Sequence, residues 1–332
     1  MKITFRSEDI SELNYVREYE EGFAVSEKSQ IRELLNEWDY KGFKSRTHRI
    51  YCPGMIFSMM EGESENDLVQ ILESDFPYLQ MHFELSTVGC LYQPKAKFEI
   101  DTVVYGGSHC LLFYPSLKGK LNYLKKPWSQ SVEIELSLDF LRKLFAGDLE
   151  VLGEFGEKIE KNLPAIMGNK SFPITPAMKH ILVEVRNCPY SPPLKKLFVE
   201  AKVQELLALQ INQIMTTEKS GTGLKNADIE KLNYVRDLLL NNMHNPYSIE
   251  ELSKIAGINR TKLQEGFKKL FGTTIFGYIT DMRLEEARQR ILDISQEASI
   301  AEIATLSGYK NPQHFTAAFK RKFHLLPKDL KG

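Results

Sequence analysis

Hydrophobic and polar positions follow two different rhythms along the chain. Between about residue 48 and residue 136, short runs have the residue types of strands: Met55-Ile-Phe-Ser-Met-Met, Leu79-Gln-Met-His-Phe-Glu-Leu, Phe98-Glu-Ile-Asp-Thr-Val-Val, His109-Cys-Leu-Leu-Phe-Tyr and Val132-Glu-Ile-Glu-Leu. Several alternate polar and apolar residues, and Gly, Pro, Asn and Ser fill the gaps. This pattern predicts a small antiparallel sandwich or barrel. Ahead of it, Gln30–Asp39 sets Ile31, Leu34, Leu35 and Trp38 on one helical face, which predicts a short amphipathic helix.

After Ser137 the period becomes helical. Phe140, Leu141, Leu144 and Phe145 share a face, as do Leu149, Leu152, Phe155 and Ile159. A further helix is expected over Ala177–Val185. Ser191-Pro-Pro then opens a long one from about Leu194 to Met215, prolines being suited to a first turn whose N–H groups have no partner. Its stretch Leu206-Leu-Ala-Leu-Gln-Ile is too apolar to face water on any side, so one face is expected on the sandwich and the other in a further contact, with complete burial as the competing reading. Thr216–Asn226, polar and carrying Gly221 and Gly223, reads as a linker.

The last hundred residues contain an internal repeat. Glu251-Leu-Ser-Lys-Ile-Ala-Gly-Ile returns as Glu302-Ile-Ala-Thr-Leu-Ser-Gly-Tyr at an offset of 51, and Leu263-Gln-Glu-Gly-Phe-Lys-Lys-Leu-Phe as Phe315-Thr-Ala-Ala-Phe-Lys-Arg-Lys-Phe at 52. Each copy predicts a helix, a glycine turn and a second helix, the logic of a helix-turn-helix. Ser253 and Ala304 are the small residues where the two helices cross. Gly257 and Gly308 supply a left-handed turn position. Leu263, Phe267 and Phe271 anchor the second helix of one copy, and Phe315, Phe319 and Phe323 that of the other. Ser248 and Glu251 form a capping box, Asn259 and Asn311 are N-caps, and Pro312 takes the first helical position. Ile275 to Leu292 joins the copies as one helix, with Ile279, Met282, Ala287 and Ile291 inward.

These residues resemble the DNA-binding domain of the AraC/XylS family of bacterial transcription regulators. The family's connecting-helix pattern stands here as Tyr278, Arg283, Leu284, Ala287, Ile291 and Leu292. Its second-unit pattern stands as Ile303, Ala304, Gly308 and Tyr309, followed by Phe315, Phe319 and Lys320. The closing motif is degraded, reading His324, Pro327, Leu330 and Lys331. More loosely, Met81-His-Phe-Glu-Leu-Ser, Ser108-His109 before Leu-Leu-Phe-Tyr-Pro, and Glu200-Ala-Lys-Val-Gln-Glu-Leu-Leu-Ala-Leu-Gln are similar to the siderophore-responsive, pyochelin-regulator-like branch.

The resemblance implies an α+β chain: a sandwich- or barrel-like effector-sensing and dimerisation domain with following helices over residues 1–216, a linker over 217–227, and an all-α domain of two helix-turn-helix units over 228–332. It implies double-stranded DNA as partner, with RNA polymerase and a small-molecule effector, an iron–siderophore among the candidates; a homodimer is open. Control by protein contacts without a small ligand stays as the alternative. The second helix of each unit would enter a major groove. Outward positions on the first are Arg260, Thr261, Gln264, Glu265 and Lys268, and matching to the family puts base contacts at Thr261, Gln264 and Glu265, where Glu265 can equally be a solvated charge. On the second they are Asn311, Gln313, His314, Thr316 and Ala317, with Lys310, Lys320 and Arg321 placed for phosphate. A connecting helix of 18 residues spans roughly 27 Å. With the reach of both units, that suits major-groove windows about one 34 Å turn apart.

Composition changes this picture little. The 332 residues suit two domains, and 42% hydrophobic with 26% charged residues is ordinary for a globular chain. No apolar run approaches the roughly 18–20 residues of a membrane span, and no apolar segment follows Met1-Lys-Ile-Thr-Phe-Arg, so a cytoplasmic protein is expected. From Asn226 onward 16 Lys+Arg face 13 Asp+Glu, against 27 and 31 in the rest, a mild asymmetry that allows a DNA-binding half. Cys52, Cys90, Cys110 and Cys188 form no Cys-x-x-Cys, and His48, His82 and His109 lack a His-x-His cluster, so neither metal nor cofactor is expected. An enzyme with a nucleophilic cysteine would need Cys110 beside His109, and neighbours on a strand point to opposite faces; a non-enzyme is expected. Tyr51, Phe57, Phe83, Tyr92, Phe98, Tyr105, Phe113, Tyr114, Tyr123 and Trp128 are either pocket-lining or core aromatics.

Overall fold

A computed structural model describes residues 1–25, 30–40, 42–86, 90–94, 102–104, 106–123, 126–219, 226–271, 273–292, 298–323 and 325–330. The chain forms two compact units, Met1–Gly221 and Thr222–Gly332. Among the described residues no helix is long and apolar enough to cross a membrane.

The first unit is α+β. Its strands are β1 (Lys2–Ser7), β2 (Tyr15–Glu18), β3 (Arg32–Tyr40), β4 (Phe43–Cys52), β5 (Met55–Ser64), β6 (Leu68–Ser74), β7 (Tyr78–Glu84), β8 (Cys90–Pro94), β9 (Thr102–Val104), β10 (Ser108–Tyr114), β11 (Leu117–Tyr123) and β12 (Lys126–Leu136). Helices α1 (Leu138–Leu144) and α2 (Glu154–Glu160), short strands β13 (Ala165–Ile166) and β14 (Phe172–Pro173), and helices α3 (Pro176–Arg186) and α4 (Pro192–Lys219) follow. The strands make two antiparallel sheets, ordered β2-β1-β6-β11-β8-β9 and β13-β10-β7-β12-β5-β4-β3, with β14 also on β10.

The central strands of the second sheet are buried on both faces. Along β12, Val132, Ile134 and Leu136 pack under the helices, while Glu133 and Glu135 turn toward the first sheet. Along β10, Leu111 and Phe113 serve the helical side, and Cys110, Leu112 and Tyr114 the core between the sheets. The result is three layers: sheet, sheet, helices. Strand alternation creates it, because successive side chains point to opposite faces.

Three expectations need correction. Residues 32–40 are strand β3, not helix. An isolated ten-residue helix is marginal, whereas β3 pairs with β4 through nine residue positions, turning at Gly42 with φ +79°. Leu34 and Leu35, 40% and 60% exposed, form no buried stripe. The sheet region also starts at Lys2 rather than near residue 48, since Ile3 and Phe5 alternate into the core between the sheets. Finally, Thr216–Lys219 complete α4, and Asn226 already begins the next helix; residues 220–225 lie outside the described residues.

The second unit is all helical: α5 (Asn226–Asn241), α6 (Ile249–Ala256), α7 (Arg260–Phe271), α8 (Ile275–Leu292), α9 (Ile300–Leu306) and α10 (Pro312–Phe323). It has two cores. Leu232, Val235 and Leu239 of α5, which the repeat did not disclose, join Leu252, Leu263, Phe267 and the first half of α8. Leu284, Ala287 and Ile291 from the second half of α8 join Ile303, Ala304, Phe315 and Phe319. One continuous helix thus anchors both units.

Candidate nucleic-acid interface

Local chemistry sets each recognition helix. In the first helix-turn-helix Ser248 and Glu251 complete a capping box, and the backbone N–H of Ser248, with its hydroxyl, holds the Glu251 carboxyl below its ordinary value. Ser299 and Glu302 repeat the box in the second helix-turn-helix, where Ser-x-x-Glu is itself a start signal in the sequence. Gly257 and Gly308 take φ of +59° and +80°, the left-handed turn position that a Cβ would strain. Asn259 Oδ1 accepts from Lys262 N at 2.8 Å, and Asn311 Oδ1 from Gln313 N at 2.7 Å. Each cap frees the helix N-terminus from an unsatisfied donor.

The anchors face inward as their spacing requires. Leu263, Phe267, Phe315 and Phe319 are fully buried. Opposite them on α7, Arg260, Thr261, Gln264, Glu265 and Lys268 are exposed together. On and before α10, Lys310, Asn311, Gln313, His314, Ala317, Lys320 and Arg321 are exposed as well. Three candidates carry local duties. Asn311 is the cap just described. The Thr316 hydroxyl, half-buried, donates to Pro312 O at 2.9 Å. Arg260 Nη1 meets Glu250 Oε1 at 2.8 Å across the first helix-turn-helix. The remaining side chains are exposed to solvent.

Within the second unit, Arg283 on α8 ties the loop ahead of the first helix-turn-helix to the turn of the second. Its Nε donates to Met243 O at 2.9 Å and its Nη2 to His244 O at 3.3 Å, both in the loop ahead of α6. Its guanidinium also lies 2.9 Å from where a Cβ on Gly308 would stand. Gly308 is therefore required twice, for its backbone angle and for the room Arg283 occupies. Leu330, where the closing motif departs, packs on the second core, and Pro327 is buried; His324 and Lys331 lie outside the described residues.

In the first unit, the aromatic candidates separate. Phe57, Phe83 and Phe113 belong to the core under the helices, and Tyr51 and Tyr114 to the core between the sheets. Phe98, Tyr105 and the side chains of Tyr92, Tyr123 and Trp128 lie outside what is described. The histidines do not converge: His48 meets Glu33 at 2.9 Å, His82 meets Glu133 at 3.5 Å, and His109 hydrogen-bonds Gln210 and Gln213 of α4, each at 2.9 Å. Among the described residues no three ligating side chains are grouped for a metal. His109 packs under the helices between Phe83 and Phe172, while Cys110 turns into the other core, so the two form no nucleophile–base pair.

α4 presents one face to the core through Val199, Val203, Leu206, Leu207 and Ile214. Within the stretch Leu206–Ile211 only Ala208 is exposed, and Leu209 is half-buried against that core, so the complete-burial reading holds for most of it. The outward apolar residues are Leu194 and Leu197, 57% and 67% exposed, in the helix's first two turns.

Comparison with known proteins places these features. Residues 44–225 match the family described as Regulatory protein PchR N-terminal domain, and residues 252–332 match a Helix-turn-helix domain family. The Regulatory protein PchR of Pseudomonas aeruginosa is 31% identical over 144 residues, 41% of this chain and 45% of that one. The Xylose operon regulatory protein of Escherichia coli is 31% identical over 105 residues, 32% of this chain and 25% of that one. The matches thus span less than half the length of these curated relatives. Among solved structures, a transcriptional regulator with an AraC-type DNA-binding domain from Chromobacterium violaceum is 25% identical, covering 32% of this chain and 94% of that one with a TM-score of 0.30.

Proposed function

The chain belongs to the PchR family of AraC-type regulators, and from that premise we propose that it is a sequence-specific DNA-binding transcription regulator whose first unit senses a small molecule. The carrying observation is the pair of solvent faces on α7 and α10, each backed by a fully buried Phe or Leu row and joined by one rigid helix. Gln264 and Gln313 are the base readers, able to pair bidentately with adenine, and Glu265 can accept from cytosine N4. Thr261, His314 and Thr316 sit beside them, with Thr316 restrained by its own bond to Pro312. Lys268, Lys310, Lys320 and Arg321 face phosphates, as does Arg260 once released from Glu250. RNA polymerase is the protein on which a regulator of this kind acts. An iron–siderophore is one candidate effector, on the strength of the match to the PchR N-terminal family, and a second copy of the chain fits the outward stripe of α4.

The test needs DNA selected by the protein itself from a random pool. Gln264→Ala or Gln313→Ala is expected to weaken the selected site by about 1–3 kcal/mol and to relax base preference at one position. Lys320→Ala is expected to weaken all sequences alike and to reduce the salt slope by about one. Altered base preference in the Lys320 variant would remove it from the phosphate contacts, and failure to enrich any sequence would remove the proposal.

A further inference from the structure

Three cations stand in a row near the end of α10: Lys320, Arg321 and Lys322. The DNA reading uses the first two. A helix turns about 100° per residue, so consecutive side chains leave it in different directions. Phe315, Phe319 and Phe323 mark the inner face. Against them Lys320 and Arg321 fall outward, and Lys322 falls on the shoulder of the buried stripe. Lys320 and Arg321 are accordingly exposed, while the Lys322 side chain is only 21% exposed.

Lys322 turns back onto α8. Its Nζ donates to the backbone carbonyl of Asp281 and lies 3.6 Å from the Asp281 carboxylate. The same ammonium stands 5.4 Å from the centre of the Phe323 ring, which the Arg288 guanidinium of α8 covers at 5.6 Å. The last turn of α10 is thus held at two places along α8.

The position of Asp281 gives the bond its consequence. Asp281 stands between Ile279 and Met282, in the half of α8 that packs on the first core, whereas the neighbours of Lys322, Phe319 and Phe323, pack on the second. The bond therefore crosses from one helix-turn-helix to the half of α8 that carries the other. Arg283 makes a companion tie, from α8 to the loop ahead of α6 and to the turn at Gly308. Two linked binding modules reinforce each other only where the link lets both engage at once, and a stiff link confines that gain to one geometry.

We propose that Lys322 is a positioning residue. Through Asp281 it holds α10 at a fixed angle to α7, and so it sets the spacing between major-groove windows that the chain accepts. It makes no phosphate contact, unlike its neighbours in the same basic run. The proposal rests on the DNA-binding reading and adds a specificity that no base-contacting residue carries.

The experiment has one arm without DNA. Brief acetylation of the native full chain, located by peptide mass spectrometry, is expected to modify Lys322 more slowly than Lys320 and Lys310. Equal rates would remove the contact and overturn the proposal while leaving the DNA-binding reading in place. The second arm compares the site selected by the wild type with the same site carrying one base pair inserted or deleted between the two protected windows, a displacement of about 3.4 Å. Lys322→Met is expected to lose about two- to fivefold on the selected site, the scale of a partly exposed ion pair. The affinity ratio between selected and shifted sites is expected to shrink at least as much, with the salt slope unchanged. Asp281→Lys sets a like charge against Lys322 and is expected to shrink that ratio too, although an added cation by itself favours DNA. A salt slope reduced by about one in the Met variant would make Lys322 a phosphate contact. A ratio that holds in either variant, whether affinity falls equally on all sites or not at all, would leave Lys322 no part in spacing. Each of these results overturns the proposal. Should no sequence be selected, the DNA-binding reading falls and the proposal with it, an outcome that the acetylation arm keeps apart from loss of the contact itself.

Discussion

At the scale of single residues, burial sets the chemistry of the first unit. Burial holds the His109 imidazole down at about 4, against a weaker raising effect of its hydrogen bond to Gln213. The sign follows from which state takes the proton first. An unfolded imidazole titrates near pH 6.5, so below that the unfolded chain binds a proton the folded one refuses, and stability falls as pH drops. The loss is expected between about pH 6.5 and pH 4, reaching roughly 3 kcal/mol at the lower end, with none above pH 6.5. Trp38 and Trp128 both lie in the first unit, so urea titrations followed by tryptophan emission report on it alone. His109→Gln is expected to flatten that slope; an unchanged slope would assign it to other groups. Glu133 shows the opposite balance. Burial pushes its carboxyl up, but hydrogen bonding and charge from His82, with the charges of Arg17 and Arg49, hold it below its ordinary value. None of this was legible in the sequence. Val132-Glu-Ile-Glu-Leu alternates like a strand with one wet face, and only a second sheet laid over that face turns Glu133 and Glu135 into interior residues.

At the scale of elements, legibility depended on whether the partner lay close in sequence. The helix-turn-helix units could be read because caps, glycine turns and aromatic anchors recur within some twenty residues, so local rules specify them. β3 could not, because its partner strand decides it: Ile31, Leu34, Leu35 and Trp38 fit a helical period as well as they fit a strand edge. α8 read correctly as one helix, yet its division between two cores, through Ile279 on one side and Ala287 and Ile291 on the other, needed the tertiary structure. α4 was legible as a long helix, and of the two readings open for Leu206–Ile211 the structure favours burial, while the exposed apolar residues lie earlier, at Leu194 and Leu197. Leu209 packs inward, so a charge there tests only folding. The outward series Leu194, Leu197, Ala201 and Ala208 is exposed, spaced by three, four and seven residues and so on one face of the helix. Leu197→Glu is therefore expected to lower the molar mass seen by light scattering while far-UV helicity and the thermal transition persist. An unchanged mass would mean that this stripe joins no second copy.

At the scale of the whole molecule, the division between the units makes the DNA-binding half separable. Its two cores are closed within residues 226–332: α5 covers the first, α10 and the Pro327–Leu330 segment the second. A fragment of residues 226–332 is therefore expected to fold as mostly helix and to bind the DNA selected by the full chain. Its salt slope should match that of the full chain, because the cationic side chains assigned to phosphate all lie within it. The boundary can be tested from its inner side as well. A fragment beginning at Ser248 lacks α5 and with it Leu232, Val235 and Leu239, each at most 1% exposed. Removing three buried branched side chains at about 2–5 kcal/mol each costs as much as the whole stability of a domain this size, which is of order 5–15 kcal/mol. The shorter fragment is expected to show little cooperative unfolding and no sequence preference, although its second helix-turn-helix is intact in sequence. Should it instead bind the selected DNA as tightly as the longer one, α5 would be dispensable and the first core would have to be closed by α6, α7 and α8 alone. The same pair of fragments separates reading from sensing. Any small molecule that changes DNA affinity of the full chain through the first unit must leave the 226–332 fragment unaffected, because coupling requires a ligand to meet two arrangements of the unit it binds.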